Sequence, residues 1–293
     1  NTQPVAPMMR LVGFLLALID LAQGLKVTVL GGTGFVGSRV VQKLVAADAE
    51  VVSVSASGTV PKWCAGETWT QKVEWRANEI TRGSREALRE AIGSPDAVVS
   101  CVGAIGFDVQ GLLLGNGVAN VEAANAAKAC GAKRFAYVSV ASDVSDAKGW
   151  LPDFFDGYFE GKAKAESAIE AAGFESTTFV RPSFIYGGDE FGLFPPRVND
   201  GYGSGVEELL STGPMVALAN ALPGLLKVAL RPPVNVEAVA AAAAGAALGG
   251  IDTPILDGTS AINEAACQPA ATGITDFVTS VKGKVSELAK STN

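Results

Sequence analysis

From Leu25 onward, short runs of β-branched and apolar residues alternate with longer stretches whose apolar positions recur at helical spacing. Val27 to Leu30 forms the first run and ends on a glycine turn, Gly31-Gly-Thr33-Gly34-Phe35-Val36-Gly37; the spacing then predicts a helix over Arg39–Ala47. Glu50-VVSVS predicts a second strand and Val73-Glu-Trp a short third. Arg85–Ile92 reads as helical, stopped by Gly93-Ser-Pro. Asp96-AVVSCVG is a continuous apolar run bounded by turn residues, the pattern of a strand covered on both faces. A helix over Val118–Ala129, a strand from Arg134-FAYVSV, a helix over Lys162–Ala172 and a sixth strand from Thr177-TFVRP complete the alternation. Repeated strand–helix–strand units predict an α/β fold with a doubly wound parallel sheet and right-handed crossovers.

The rhythm loosens after Tyr186-Gly-Gly, where prolines and glycines cut the chain into short pieces. This segment reads as a small substrate lobe over the carboxyl ends of the strands, with apolar stretches at Met215–Leu222 and Leu225–Leu230. Ala238–Gly250 is alanine-rich but follows Pro232-Pro233 and carries helix formers, so a buried helix is expected. The resulting division is an N-terminal extension (1–24), a dinucleotide-binding domain (25–188), the lobe with its return to the core (189–250) and a C-terminal extension (251–293). Arg10 and Asp20 bracket nine uncharged apolar residues, LVGFLLALI, about half the ~20 that a membrane-spanning helix needs. Residues 9–22 are therefore expected to pack on their own domain or to dock on a membrane surface or partner subunit. Ile274, Phe277, Val278, Val281, Val285 and Leu288 fall on one helical face near the other end. The start at Asn1 rather than Met reads as a processed or trimmed chain with no targeting pattern remaining.

Composition narrows the chemistry. The 293 residues are 48% apolar with a net charge of −7 and no basic stripe, which argues against a nucleic-acid partner. There is no histidine, which excludes Ser–His–Asp hydrolysis, histidine-ligated zinc and imidazole acid–base work. The four cysteines are widely spaced without a C-x-x-C pair, so free thiols are expected and no metal site. Acid–base chemistry falls to Tyr, Lys, Ser or carboxylates.

A strand–glycine turn–helix sequence is the arrangement that holds a dinucleotide. Gly31 permits the tight turn, Gly34 lets backbone N–H groups approach a pyrophosphate, and Gly37 lets the helix pack closely on the strand. The helix N-terminus adds unpaired donors and partial positive charge. Downstream, Tyr158-Phe-Glu-Gly-Lys162 puts a phenol and an ammonium one helical turn apart on one face. The turn, the YxxxK pair, Val51-VSVSASG, Gly157-YFEGKAKAE, Arg181-PSFIYG and Pro232-PVNVEAVA together resemble the extended and atypical short-chain dehydrogenase/reductase families over about residues 26–250. The nearer subgroup holds a plant plastid Rossmann protein, a fungal mitochondrial protein linked to ubiquinone synthesis and the nucleotide-binding accessory subunit of mitochondrial complex I.

The resemblance implies Tyr158 as proton donor to a substrate carbonyl, with Lys162 holding the nicotinamide ribose and lowering the tyrosine pKa. It implies cofactor contacts from Gly31, Thr33, Gly34, Phe35, Val36, Gly37, Ser55, Glu79, Ile80, Val102, Gly103, Lys162 and Pro182. Two positions depart from the family pattern. Ala141 stands where an active-site serine is expected, with Ser139 and Ser142 on either side, and Ala56 replaces the arginine that binds the 2′-phosphate of NADP. No acidic residue ends the second strand, while Ser55, Ser57, Lys62 or Arg39 could reach a phosphate, so the cofactor is NADP or NAD, with the resemblance tilting to NADP. Two functions follow: an NAD(P)H-dependent reductase of an apolar carbonyl or quinone-like molecule, or a catalytically silent nucleotide-binding subunit of an organellar membrane complex. The resemblance favours a plastid location, stromal or thylakoid-associated, over the mitochondrial matrix side of the inner membrane.

Overall fold

The computed structural model describes residues 24–189 and 197–268. Its first strand, β1 (Lys26–Leu30), sends Val27 and Val29 to one side of a sheet and Leu30 to the other, and all three are buried. Because both faces are covered, such a strand reads as an unbroken apolar run. The others in chain order are β2 (Glu50–Ser55), β3 (Val73–Ala77), β4 (Ala97–Ser100), β5 (Arg134–Val138), β6 (Ser176–Arg181), β7 (Ile185–Tyr186), β8 (Val234–Asn235) and β9 (Ile255–Asp257). Seven form one sheet in the order β3-β2-β1-β4-β5-β6-β9, every pairing parallel, while β7 and β8 pair separately. The doubly wound parallel sheet is thus present, and strand order reverses between β1 and β4, where open sheets of this kind bind ligands.

The helices, in chain order, are α1 (Gly37–Ala46), α2 (Arg85–Ile92), α3 (Val109–Leu113), α4 (Ala119–Ala129), α5 (Ser142–Asp146), α6 (Asp156–Ala171), α7 (Asp200–Leu210), α8 (Gly213–Ala221), α9 (Gly224–Ala229), α10 (Val236–Ala247) and α11 (Gly258–Ala266). A π-helical turn, Leu114–Val118, joins α3 to α4. One face of the sheet is covered by Val40, Val41 and Leu44 of α1 and by Ala240, Ala243 and Ala247 of α10. The opposite face packs Phe135, Tyr137 and Phe179 against Leu88 and Ile92 of α2, Ala123 and Ala127 of α4, and Ala165 and Ile169 of α6. Burying each large side chain contributes ~1.5–3 kcal/mol. The alanine tract is the buried helix expected of it: small side chains let α10 lie close on β4, β5 and β6.

Several boundaries differ from the sequence reading. Helix α6 begins at Asp156, not Lys162, so Tyr158 lies inside it rather than before it. Strand β4 ends at Ser100 because Val102 and Ala104 bond to asparagine side chains instead of a strand. The helix expected from Val118 is preceded by α3, which Asp108 caps by accepting from Gly111 N at 2.7 Å; its glycines disguised it. Residues 251–268, assigned to the C-terminal extension, contribute β9 and α11 to the core; a three-residue strand between Asp252-Thr-Pro and Asp257-Gly carries almost no periodicity.

Helices α7–α9 form the lobe region, and Lys227 and Arg231 pair with Asp143 of α5. The apolar N-terminal stretch, residues 9–22, and the C-terminal amphipathic face from Ile274 to Leu288 lie outside the described residues. Among the described residues, no helix is long and apolar enough to cross a membrane.

Candidate functional site

The glycine turn is built by exclusion. Gly31 has φ +76°, its N–H donates to Val54 O at 2.8 Å, and a Cβ there would stand 3.0 Å from Cys101 O. A Cβ on Gly37 would lie 2.2 Å from Gly31 O and 3.0 Å from Gly32 Cα, so α1 starts in direct contact with the turn. At Gly34 a Cβ would meet only Gly31 O, at 3.1 Å, and the outer side is otherwise open. Among the described residues, the N–H groups of Thr33, Phe35 and Val36 make no hydrogen bond to the protein, and no side chain caps α1. Open backbone donors at a helix N-terminus fit a pyrophosphate.

The other expected contacts follow along the carboxyl ends of the strands. Ser55 closes β2, where its Oγ accepts from Gly58 N at 3.1 Å, and its carbonyl accepts from Asn78 N at 2.8 Å. Glu79, just past β3, pairs with Arg82 at 3.2 Å, and Ile80 is half-buried against the core. Val102 and Gly103 follow β4, and a Cβ on Gly103 would be 3.7 Å from Lys162 Nζ. Pro182, after β6, is buried and its carbonyl accepts from Ala141 N at 2.9 Å. The chain therefore arrays these residues along one rim across the β1–β4 reversal.

Arg39 serves elsewhere. Its guanidinium donates to Phe35 O at 2.8 Å, pairs with Glu237 at 3.3 Å and lies 4.7 Å from the ring centroids of both Phe35 and Trp63. Arg197 stacks on the same Phe35 ring at 4.1 Å.

Tyr158 and Lys162 are placed by glycines that the sequence reading left unexplained. A Cβ on Gly157 would fall 2.0 Å from Val109 O, and one on Gly161 2.8 Å from Gly117 N, so α6 touches α3 and the π turn backbone to backbone. Lys162 is buried; its Nζ donates to Val138 O at 2.9 Å, over the Tyr137 ring at 4.7 Å and 5.8 Å from the Tyr158 ring centroid. Burial pushes the lysine down to about 8, against the upward pull of Cys101 and Glu166. Burial also pushes the Tyr158 phenol up to about 12. The lowering expected from Lys162 is absent because the ammonium is turned to the Val138 carbonyl.

Two asparagines were missed. Asn116, in the π turn, donates to Ala104 O at 3.0 Å and accepts from Ala104 N at 3.2 Å; Asn120 accepts from Ser100 Oγ at 2.6 Å and donates to Val102 O at 3.2 Å. Both are fully buried, and together they clamp the loop facing Lys162. Two amides four residues apart in a glycine- and alanine-rich helix were the available signal, since a buried amide must find partners. Of the serines flanking Ala141, Ser142 donates N–H and Oγ to the Asp257 carboxylate. Ser139 Oγ is buried with no partner.

A family profile described as NAD(P)H-binding matches residues 31–201, from the glycine turn into α7. The chain belongs to this NAD(P)H-binding family. Within the family's breadth, it is 37% identical over 176 residues to the Arabidopsis thaliana "Uncharacterized protein At1g32220, chloroplastic", covering 58% of this chain and 55% of that protein. It is 35% identical over 80 residues to the Saccharomyces cerevisiae "MIOREX complex component 2", covering 27% and 28%. The chain thus spans about half the length of the first relative and less of the second. Among solved structures it is similar to the Bordetella bronchiseptica enzyme WbmH in complex with NAD+, with TM-score 0.55, 18% identity and coverage of 80% and 75%. The WbmG enzyme of the same organism, in complex with NAD, gives 0.53, 14%, 83% and 76%. These likenesses speak for the NAD(P)H-binding fold.

Proposed function

We propose that this protein is an NAD(P)H-dependent reductase of a carbonyl compound. The observation that carries the reading is the convergence of Lys162 Nζ on the Gly103 loop, with Tyr158 one turn earlier on the same rigidly docked helix. Thr33, Gly34, Phe35 and Val36 would hold the pyrophosphate, Ser55, Glu79 and Ile80 the adenosine end, and Val102, Gly103, Lys162 and Pro182 the nicotinamide end. Bound NAD(P)H supplies hydride. Tyr158 gives its phenolic proton to the carbonyl oxygen, and Lys162, charged below about pH 8, donates to the ribose and offsets the phenolate that forms. NADPH is the cofactor favoured by resemblance, and Lys62 is a cation past β2 for which no ion pair is found among the described residues.

The apolar substrate read from residues 215–230 has less support than the carbonyl chemistry. Those stretches form α8 and α9, which pack on each other, while α9 also packs on α5. A plastid location is proposed from the chloroplastic relative, and import of a fluorescent fusion into chloroplasts checks it. The decisive experiment is NADPH and NADH oxidation across a panel of aldehydes, ketones and quinones. Tyr158→Phe should lower turnover ~10²-fold or more with cofactor affinity unchanged. Nucleotide binding without reduction of any panel member moves the reading to a silent nucleotide-binding subunit, the role suggested by the yeast relative's membership of a complex.

A further inference from the structure

Lys162 has a second side. On the face of α6 turned away from the α3 contact, a cavity of about 1000 Å³ opens between Phe159, Ala163 and the segment that follows β5. Lys162 and Ser139 form part of its wall. Ser139 is 5% exposed and its Oγ has no hydrogen-bond partner. Leaving a buried hydroxyl unpaired costs ~1–3 kcal/mol, so a polar atom aimed at a cavity calls for a ligand atom or an equivalent.

Charge decides what kind of ligand. Arg181, on the cavity wall, is occupied by the Glu166 carboxylate through bonds of 3.0 and 2.5 Å, and Lys162 by Val138 O. Asp146, Asp156 and Glu160 also line the cavity and form no ion pair among the described residues, with Lys148 the one remaining cation on the wall. The surplus is negative, which repels a carboxylate or phosphate ester. An apolar ring would strip water from these carboxylates without replacing their hydrogen bonds, a cost of several kcal/mol. A ligand rich in hydroxyls satisfies both conditions: its O–H groups donate to carboxylates, and an oxygen of its own accepts from Ser139.

We infer that this cavity is the substrate subsite and takes a small, uncharged, polyhydroxylated carbonyl compound, with Ser139 as its buried hydrogen-bond anchor. The inference rests on the reductase reading for its chemistry but not for its binding. The full chain, Ser139→Ala and the surface pair Asp156→Asn/Glu160→Gln would be compared with dihydroxyacetone, erythrulose, dihydroxyacetone phosphate and a short-chain benzoquinone. Erythritol binding would be read by saturation-transfer NMR on the protein alone and with NADPH added. Ketose reduction is expected, with KM raised about tenfold by Ser139→Ala while NADPH affinity and melting temperature hold. The surface pair should relax discrimination against the phosphate ester. Erythritol binding that disappears in Ser139→Ala, without reduction of any substrate, sustains the polyol site and defeats the reductase reading. Quinone reduction with no binding of ketose or erythritol overturns the polyol site and leaves the reductase standing. A phosphate ester that binds as well as the ketose, or erythritol binding indifferent to Ser139→Ala, also overturns it.

Discussion

The two halves of the rim are made in different ways. Around β1 and α1 the site is backbone: three glycines fix a turn by what they leave out, and the donors it presents are main-chain N–H groups. Around α6 the site is buried side chains, each held by residues from elsewhere in the chain: Lys162 by Val138 and Tyr137, and the facing loop by Asn116 and Asn120. A backbone site tolerates no added atoms, whereas a side-chain site tolerates reshaping but depends on every partner being satisfied.

That contrast can be broken most forcefully at Gly37. Gly37→Val would drive its Cβ into Gly31 O, 2.2 Å away, with backbone on both sides. A cost of ~3 kcal/mol or more is expected, lowering the melting temperature by about 10 °C and removing nucleotide binding. Calorimetry that finds a stable, binding-competent variant refutes the account of the turn. Gly34→Val should separate the two effects, because its Cβ meets only one atom, at 3.1 Å. Dinucleotide binding is expected to vanish while the melting temperature moves little. Equal NADPH affinity in variant and wild type would remove the turn from the site.

On the side-chain half, Asn116→Ala leaves Ala104 N–H and C=O without their amide partner. Unpaired buried groups predict a loss of ~1–3 kcal/mol in denaturant unfolding, together with weaker NAD(P)H binding through the loosened loop. Stability lost with affinity intact would make the clamp purely structural. The smallest effect is the titration of Lys162. Its folded pKa is about 8, below the ~10.4 of an ordinary lysine. Charge on the ammonium is lost as pH rises through about 8, so NAD(P)H affinity should fall several-fold there. Between that point and ~10.4 the unfolded chain binds the extra proton, so this group makes folding stability rise with pH. Opposite slopes for affinity and stability, both absent in Lys162→Met, are the expected signature; parallel slopes would place the titration elsewhere.

The backbone half was legible in the sequence for the same reason that it is fragile. Glycine at 31, 34 and 37 between a strand and a helix leaves one geometry, and β1, α1, β2 and α2 came within a few residues of their positions. Tyr158 and Lys162 were legible as a pair by their spacing, but their surroundings were not. Nothing local to Lys162 announces that Val138 will take its proton donor, or that Gly161 must be glycine because Gly117 N lies against it. The strand β9 was hidden because three residues hold less than two periods of alternation. Its partner β6 determines that it is a strand.

The alanine helix α10 also sets a condition on how the chain folds. The apolar side of β1, with Val27 and Val29, is among the first described segments to leave the ribosome, yet part of its layer, Ala240 to Ala247, is among the last. Strand β9 then pairs with β6 across more than seventy residues of intervening chain. Closing such distant contacts is slow, and surface left waiting for them is prone to association. A nascent chain halted before residue 236 would carry the complete glycine turn and the Tyr158–Lys162 pair over a half-bare sheet. Synthesis of this protein therefore has a long vulnerable interval, in which a chaperone would find the valine face before α10 does.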